Sequence, residues 1–217
     1  LKKYLNMACD KANVKKAYCG KKLKQAAIPN GIIMIANAAF ANCEKLTSVT
    51  MPNTVKVIGN AAFAGCSALT SITIPDSVEE IGNAAFAGCS ELTQITIPKS
   101  VKMIGKGVFA SCTALQSIVV DVANTVYTSA QSNALIEIST KTLIAGCETT
   151  SIPNYVENIG MNAFDGSTIS NITLPANLKG IGQSAFRNCK NLKSISIPNT
   201  VQEIGYWAFA HCDSLTQ

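Results

Sequence analysis

Charge is scarce in this 217-residue chain: 14% of its residues are Asp, Glu, Lys or Arg, against about 25% in an ordinary globular domain. Hydrophobic residues make up 47%, so the chain needs an extended buried core. No run approaches the roughly 18 apolar residues of a membrane span, which excludes a spanning helix. A single histidine and the absence of any C-x-x-C pair argue against a zinc site. Only Tyr4 and Tyr18 stand among the lysines of 1–25, too few for the stacking platform of a nucleic-acid binder. The opening residues LKKYLNMACDKA lack the apolar stretch and cleavage site of a secretory signal. The chain starts at Leu1, so any address segment is expected outside this sequence.

What is present is a repeat. All the prolines are Pro29, Pro52, Pro75, Pro98, Pro153, Pro175 and Pro198; all the phenylalanines are Phe40, Phe63, Phe86, Phe109, Phe164, Phe186 and Phe209. Each Phe follows its Pro at one constant offset, as Phe40 follows Pro29 and Phe86 follows Pro75. Successive Pro positions step by 23, 23, 23, 55, 22 and 23. Two residue types confined to one register each mark a stack of equivalent coils. A period in the low twenties is that of leucine-rich repeats.

The unit L-x-x-I-x-I-P-x-x-V-x-x-I-G-x-x-A-F-x-x-C-x-x, as in LTSITIPDSVEEIGNAAFAGCSE, can be read position by position. Ser71-Ile72-Thr73-Ile74 alternates with β-branched residues and predicts a short strand, which Pro75 ends. Val78 and Ile81 point inward from the turn that follows. Gly82 marks a tight corner, matched by Gly59, Gly105, Gly160, Gly182 and Gly205, with Ala36 the exception. Asn83-Ala84-Ala85-Phe86 reads as a helical turn on the convex side. A lone coil has an apolar face it cannot cover, and stacking at about 4.8 Å buries it. The predicted fold is therefore an α/β repeat solenoid, a right-handed coil of short parallel strands. About seven regular units, each one such period long, fill 26–217 and are interrupted at 120–151 by a degenerate unit. There Ala134-Leu135-Ile136-Glu137-Ile138 and Thr142-Leu143-Ile144-Ala145 flank Ser139-Thr140-Lys141 as a β-hairpin.

The units IPDSVEEIGNAAFAGCSELTQIT and the interruption NTVYTSAQSNALIEISTKTLIAGCETTSIP resemble the BspA-like leucine-rich-repeat proteins, also called the Treponema pallidum repeat class. The resemblance covers about residues 26–217. It implies a surface or secreted protein of the kind found in gut and oral bacteria and some parasitic protists, several of which act in adhesion to host proteins or cells.

Residues 1–25 do not match the unit. They hold eight lysines against one acid, Asp10, so the remainder of this net +5 chain carries −2. Leu1, Leu5, Ala8 and Ala12 recur at helical spacing and predict an amphipathic capping helix. The other reading of the lysines is a basic patch for acidic polymers or anionic surfaces.

Six of the nine cysteines (Cys43, Cys66, Cys89, Cys112, Cys189, Cys212) follow Phe by three, with Ser167 in their place in the remaining regular unit. They are expected to form a buried ladder of reduced thiols, because parallel Cβ vectors hold neighbouring sulfurs off disulfide geometry. Cys9 and Cys19 lie outside it, paired or unpaired. His211 beside Cys212 is the only nucleophile-and-base candidate, and adjacent repeat residues diverge. Glu79-Glu80 has Lys56, Lys102 and Lys179 in equivalent slots, as on a solvated edge. No catalytic, cofactor or metal residues are expected.

Strand residues alternating with the buried ones point outward: Ser48 and Thr50, Ser71 and Thr73, Gln94 and Thr96, Ser117 and Val119, Asn171 and Thr173, Ser194 and Ser196. The residue after each Pro continues the row (Asn53, Asp76, Lys99, Asn154, Ala176 and Asn199), and Asp76, Lys99 and the insertion 121–147 come closest to a patch that breaks its hydroxyl rule. This is the candidate ligand face. The row is polar and lacks the aromatic and Arg anchors of strong interfaces, so it favours weak contacts summed by avidity, or it merely solvates the sheet. The expected function is a non-catalytic extracellular or cell-surface module that adheres to a host or neighbouring-cell protein or glycan. The alternative is a structural spacer holding another domain of a longer surface protein. Leu215-Thr216-Gln217 begins a further strand without its I-x-I-P, so the chain is expected to be a piece of a longer protein.

Overall fold

The phenylalanines stack in two columns, and the coils follow them. Phe40, Phe63, Phe86 and Phe109 lie ring on ring with centroids 5.0, 5.6 and 5.8 Å apart, and Phe164, Phe186 and Phe209 at 5.0 and 5.4 Å. The structure, a computed structural model, describes residues 23–216 and the backbone of two strands before them, Met7–Asp10 and Asn13–Ala17. Around each Phe, the Leu, Val and Ile of the unit are buried or half-buried together with the Ala or Val before it, except in the last coil, where Ile197 and Ile204 are exposed. The core divides into two clusters at the interruption.

Three walls hold each coil to the next. The first carries the continuous ladder, through the pairs Met34–Ile35, Val57–Ile58, Glu80–Ile81 and Met103–Ile104, all parallel and one repeat apart. It resumes through Thr142–Ala145, Asn158–Ile159, Gly180–Ile181 and Glu203–Ile204. This is the stretch expected to be a turn around Val78 and Ile81; so short a strand is too brief for alternation to show. The second wall is the expected strand column, and its ladder is incomplete. Gln25–Ala27 pairs with Ser48–Thr50, Gln94–Ile97 with Ser117–Val120, and Asn171 makes a lone bridge to Ser194. Residues 71–74 keep the alternating burial of a strand but make no backbone hydrogen bond among the described residues.

The third wall, around Phe, corrects the helical turn, and no helix occurs among the described residues. The architecture is thus an all-β parallel solenoid. In every regular unit the residue two before Phe is left-handed: Ala38, Ala61, Ala84, Gly107, Asn162, Ser184 and Trp207, with φ between 52° and 62°. The residue two after Phe is left-handed as well, from Asn42 to His211. Such a backbone costs a non-Gly residue roughly 1–2 kcal/mol, but it aims N–H groups along the stack. Ala61, Phe63 and Gly65 donate to Asn83 O, Ala85 O and Ala87 O at 2.7–2.8 Å. A helical turn would spend those donors within the coil.

Two further expectations are revised. The corner glycines are required by crowding: a Cβ at Gly59, Gly82, Gly105 or Gly205 would stand 2.3–2.7 Å from the backbone nitrogen of the preceding coil. The predicted N-terminal helix is replaced, over its described part, by a β-hairpin. Met7–Asp10 pairs antiparallel with Asn13–Ala17, whose Asn13 and Val14 pair with Met34 and Ile35. An open ladder edge needs N–H and C=O partners, which a strand supplies and a helix does not. Leu1, Leu5 and Ala12 lie outside the described residues.

The interruption keeps a regular coil as far as Tyr127, which stands one repeat after Ile104 and caps it by accepting the Ile104 N–H on its hydroxyl at 2.8 Å. Leu135–Glu137 and Thr142–Ala145 then form the antiparallel hairpin, with Tyr127–Thr128 paired to its first strand.

Candidate functional site

The outward row begins with the pleat. Val49, Ile72, Ile74, Ile95, Ile97, Ile118 and Leu174 are buried, so the residues alternating with them face solvent. Thr50, Ser71, Thr73, Asp76, Gln94, Thr96, Lys99, Asn171, Thr173, Ser194 and Ser196 are exposed, and Ser48 is half-buried.

Where the ladder fails, the coils leave grooves between them, and these collect most of the row. Ser71, Thr73, Asp76, Gln94 and Thr96 line one of about 390 Å³. Asn171 and Thr173 share a second, of about 570 Å³, with Ser151 and Asn154; together with Ser194 and Ser196 they line a third of about 550 Å³. Ser48, Thr50 and Lys99 line none of these three. The first groove also holds Asp121, which the strand pattern did not flag; it stands where the proline column of Pro75 and Pro98 would place its next member. The unbonded backbone of residues 71–74 opens into the same groove, so donors and acceptors of the main chain add to the hydroxyls.

The charged edge is paired. Glu79 reaches Lys56 at 3.2 Å and Lys102 at 3.5 Å, which holds its carboxyl below the ordinary range. Glu157 lies 2.6 Å from Lys141 and 2.5 Å from Lys179, and hydrogen bonds from the two ammonium groups bring its pKa down to about 2.

The cysteine column is a ladder of hydrogen bonds. Cys66, Cys89, Cys112, Cys189 and Cys212 each donate S–H to the Phe carbonyl of the preceding coil, at 3.1–3.3 Å. Burial pushes Cys66 and Cys112 up to about 12, and Cys89, Cys189 and Cys212 upward as well. Cys43 corrects the expectation of six reduced thiols. It is disulfide-bonded, and because the other ladder cysteines are free the bond leaves the ladder. The first coil has no earlier Phe turn to accept its thiol. Its partner, like any pairing of Cys9 and Cys19, lies among side chains that the structure does not describe. His211 is exposed at a left-handed corner with φ 59°, while the Cys212 thiol is engaged with Phe186. Among the described residues no group of three or more His, Cys, Asp or Glu is placed to hold a metal ion, and no helix is long and apolar enough to cross a membrane.

Stacked coils of one short period, with a parallel ladder and an inward Phe column, define a leucine-rich-repeat solenoid. The BspA type leucine-rich repeat region, in six copies, matches residues 14–137 and 137–217, and the chain belongs to that family. It is similar to a leucine-rich repeat protein from Eubacterium ventriosum at 25% identity and a TM-score of 0.78, over 96% of this chain and 65% of that one. The T. pallidum leucine-rich repeat protein matches at 28% identity and a TM-score of 0.56, over 94% and 83%. A leucine-rich repeat protein from Bacteroides ovatus matches at 29% and 0.62, over 97% and 61%. The chain thus spans 65% and 61% of the length of the first and last of these relatives. Comparison with curated proteins finds no match.

Proposed function

We propose that this chain is a non-catalytic extracellular binding module that engages a protein or glycan through the outward strand row. The observation that carries the reading is the coincidence of three features on one wall: exposed hydroxyls and amides, grooves of about 390–570 Å³, and main-chain groups free of ladder bonds. Such a surface offers many hydrogen bonds of modest strength, which suits a repetitive partner held by avidity. The disulfide of Cys43 supports an extracellular or cell-surface address, since disulfides persist in oxidising compartments. The lack of aromatic or Arg anchors in the row favours the second reading, a spacer.

A glycan array and a pull-down against host surface proteins separate the two. Adhesion predicts retention that falls at least tenfold when Thr73, Thr96 and Thr173 are together changed to Lys. A wild-type chain that retains no partner in either assay is a spacer.

A further inference from the structure

The interruption thickens the solenoid on one side only. On the ladder wall it places three strands (Tyr127–Thr128, Leu135–Glu137 and Thr142–Ala145) between Met103–Ile104 and Asn158–Ile159. On the phenylalanine wall it places no strand, only Gly146, whose N–H donates to Ala163 O at 2.8 Å. There the Ser111 N–H donates directly to Asp165 O at 2.6 Å, the bond that joins consecutive coils elsewhere, as Gly88 to Ala110. A Cβ at Gly166 would stand 2.9 Å from Ser111 Cα, so the two turns touch. At about 4.8 Å per strand the wedge is about 14 Å thick at its open side, and the stack bends toward the phenylalanine wall.

Inside that bend is a pocket of about 430 Å³ built from three coils, in the size range of small-ligand clefts, about 300–1,000 Å³. Its lining is polar. Ser111 and Thr168 offer hydroxyls that make no side-chain bond among the described residues. Asn188 is fixed from behind. Its amide nitrogen donates to Asp165 Oδ1 at 2.9 Å, and Asp165, only 8% exposed, is held on its other oxygen by Asn162 at 2.9 Å. That leaves the Asn188 carbonyl oxygen to accept. The Asn191 amide nitrogen donates to Thr168 O at 3.4 Å, leaving its carbonyl oxygen in the same position. Lys190 supplies the only charge in the lining, and it forms no ion pair among the described residues.

One ammonium surrounded by hydroxyls and amide carbonyls matches a ring that carries several hydroxyl groups and one carboxylate. A phosphate, with acceptors all round, would face the Asn188 and Asn191 carbonyls without donors to offer them. No aromatic face lines the pocket, so recognition rests on hydrogen bonds and the single charge. We infer that the crook of the solenoid binds an acidic sugar residue, with Lys190 on its carboxylate and Ser111, Thr168, Asn188 and Asn191 on its hydroxyls. The site lies on a different wall from the strand row and stands apart from the function proposed for that row.

The test follows backbone amide shifts of the isotope-labelled chain during titration with D-glucuronate, its β-methyl glycoside and D-glucose. Both acidic probes are expected to shift the amides of Ser111, Gly166, Thr168 and Asn191. D-glucose should bind at least tenfold more weakly, about 1.4 kcal/mol. Binding of the free acid alone assigns the site to a monosaccharide; binding of the glycoside as well assigns it to a residue of a glycan chain. Lys190→Gln, at an exposed position that leaves the fold intact, should erase the preference over glucose, and Thr168→Val should weaken all three probes. Lys45→Gln, exposed and outside both the pocket and the strand row, should leave the titration of all three probes unchanged. Shifts confined to the row, no shifts, or equal affinity for glucose and glucuronate would each overturn the assignment.

Discussion

The regular coils and the interruption solve the same problem with different groups. In the regular coils, backbone satisfies backbone: Glu80 pairs with Met103, and Phe63 N–H with Ala85 O, because identical coils bring identical groups into register. In the interruption register is lost, and side chains stand in. Asn124 donates to Pro98 O and Val101 O and accepts from Val126 and Tyr127 N–H, at 2.8–3.0 Å. Asn133 accepts the Ile118 N–H at 2.8 Å and donates to Gln116 O at 2.7 Å, and Ser129 Oγ accepts the Val120 N–H at 2.8 Å. A solenoid can therefore leave its period without leaving polar backbone unpaired, provided a few amides and hydroxyls imitate the missing strand.

Removing a regular anchor, Phe86→Ala, should cost about 3–5 kcal/mol. Coils contact only their neighbours, so exchange should accelerate first in residues 58–63 and 104–109; uniform acceleration from end to end would refute that local coupling. In the interruption, Asn124→Leu leaves several buried groups unbonded and should cost about 3 kcal/mol. Because the core is split there into two clusters, urea unfolding of this variant should separate into two steps, and a single sharp transition would show that the halves are joined by more than these side chains. Tyr127→Phe removes one acceptor and should cost about 1 kcal/mol, with Ile104 the amide whose protection falls most.

The smallest expected effect is on the edge. Glu157 has a folded pKa of about 2, below the ordinary 4.5, and Glu79 is lowered too. Their contribution is present above about pH 4.5 and is lost as pH falls toward 2. The urea midpoint should drop over that window and less so in Glu157→Gln; parallel slopes for the two proteins would show that the pair is silent.

Much of this was legible because Pro and Phe occupy one register each, which fixes the coil length and identifies the inward side. The errors have a common origin, since local propensity was read where the neighbouring coil decides. Asn-Ala-Ala-Phe favours a helix in isolation, yet Ala84 is left-handed because its N–H bonds to Lys106 O in the next coil. Ala8 fits a helical spacing and lies instead in a strand, because the edge at Met34–Ile35 selects a strand. The strand row was legible from alternation alone. The bend was not: Ser111 and Asp165 are far apart in the chain, on either side of the interruption, and no periodic pattern announces that their turns touch.

The thiol ladder gives the molecule a clock. While a coil is closed its thiol stays protonated in the core; once the coil opens, burial no longer suppresses the thiolate and the sulfur becomes a nucleophile. Cys66, Cys89 and Cys112 then stand in successive coils, within reach of one another and of the Cys43 disulfide. Exchange among them would knit open coils into pairings the folded stack cannot accept. Heat would then inactivate the protein in one direction only, at a pace set by how often a coil opens, and its endurance would be measured in hours rather than in the depth of an equilibrium.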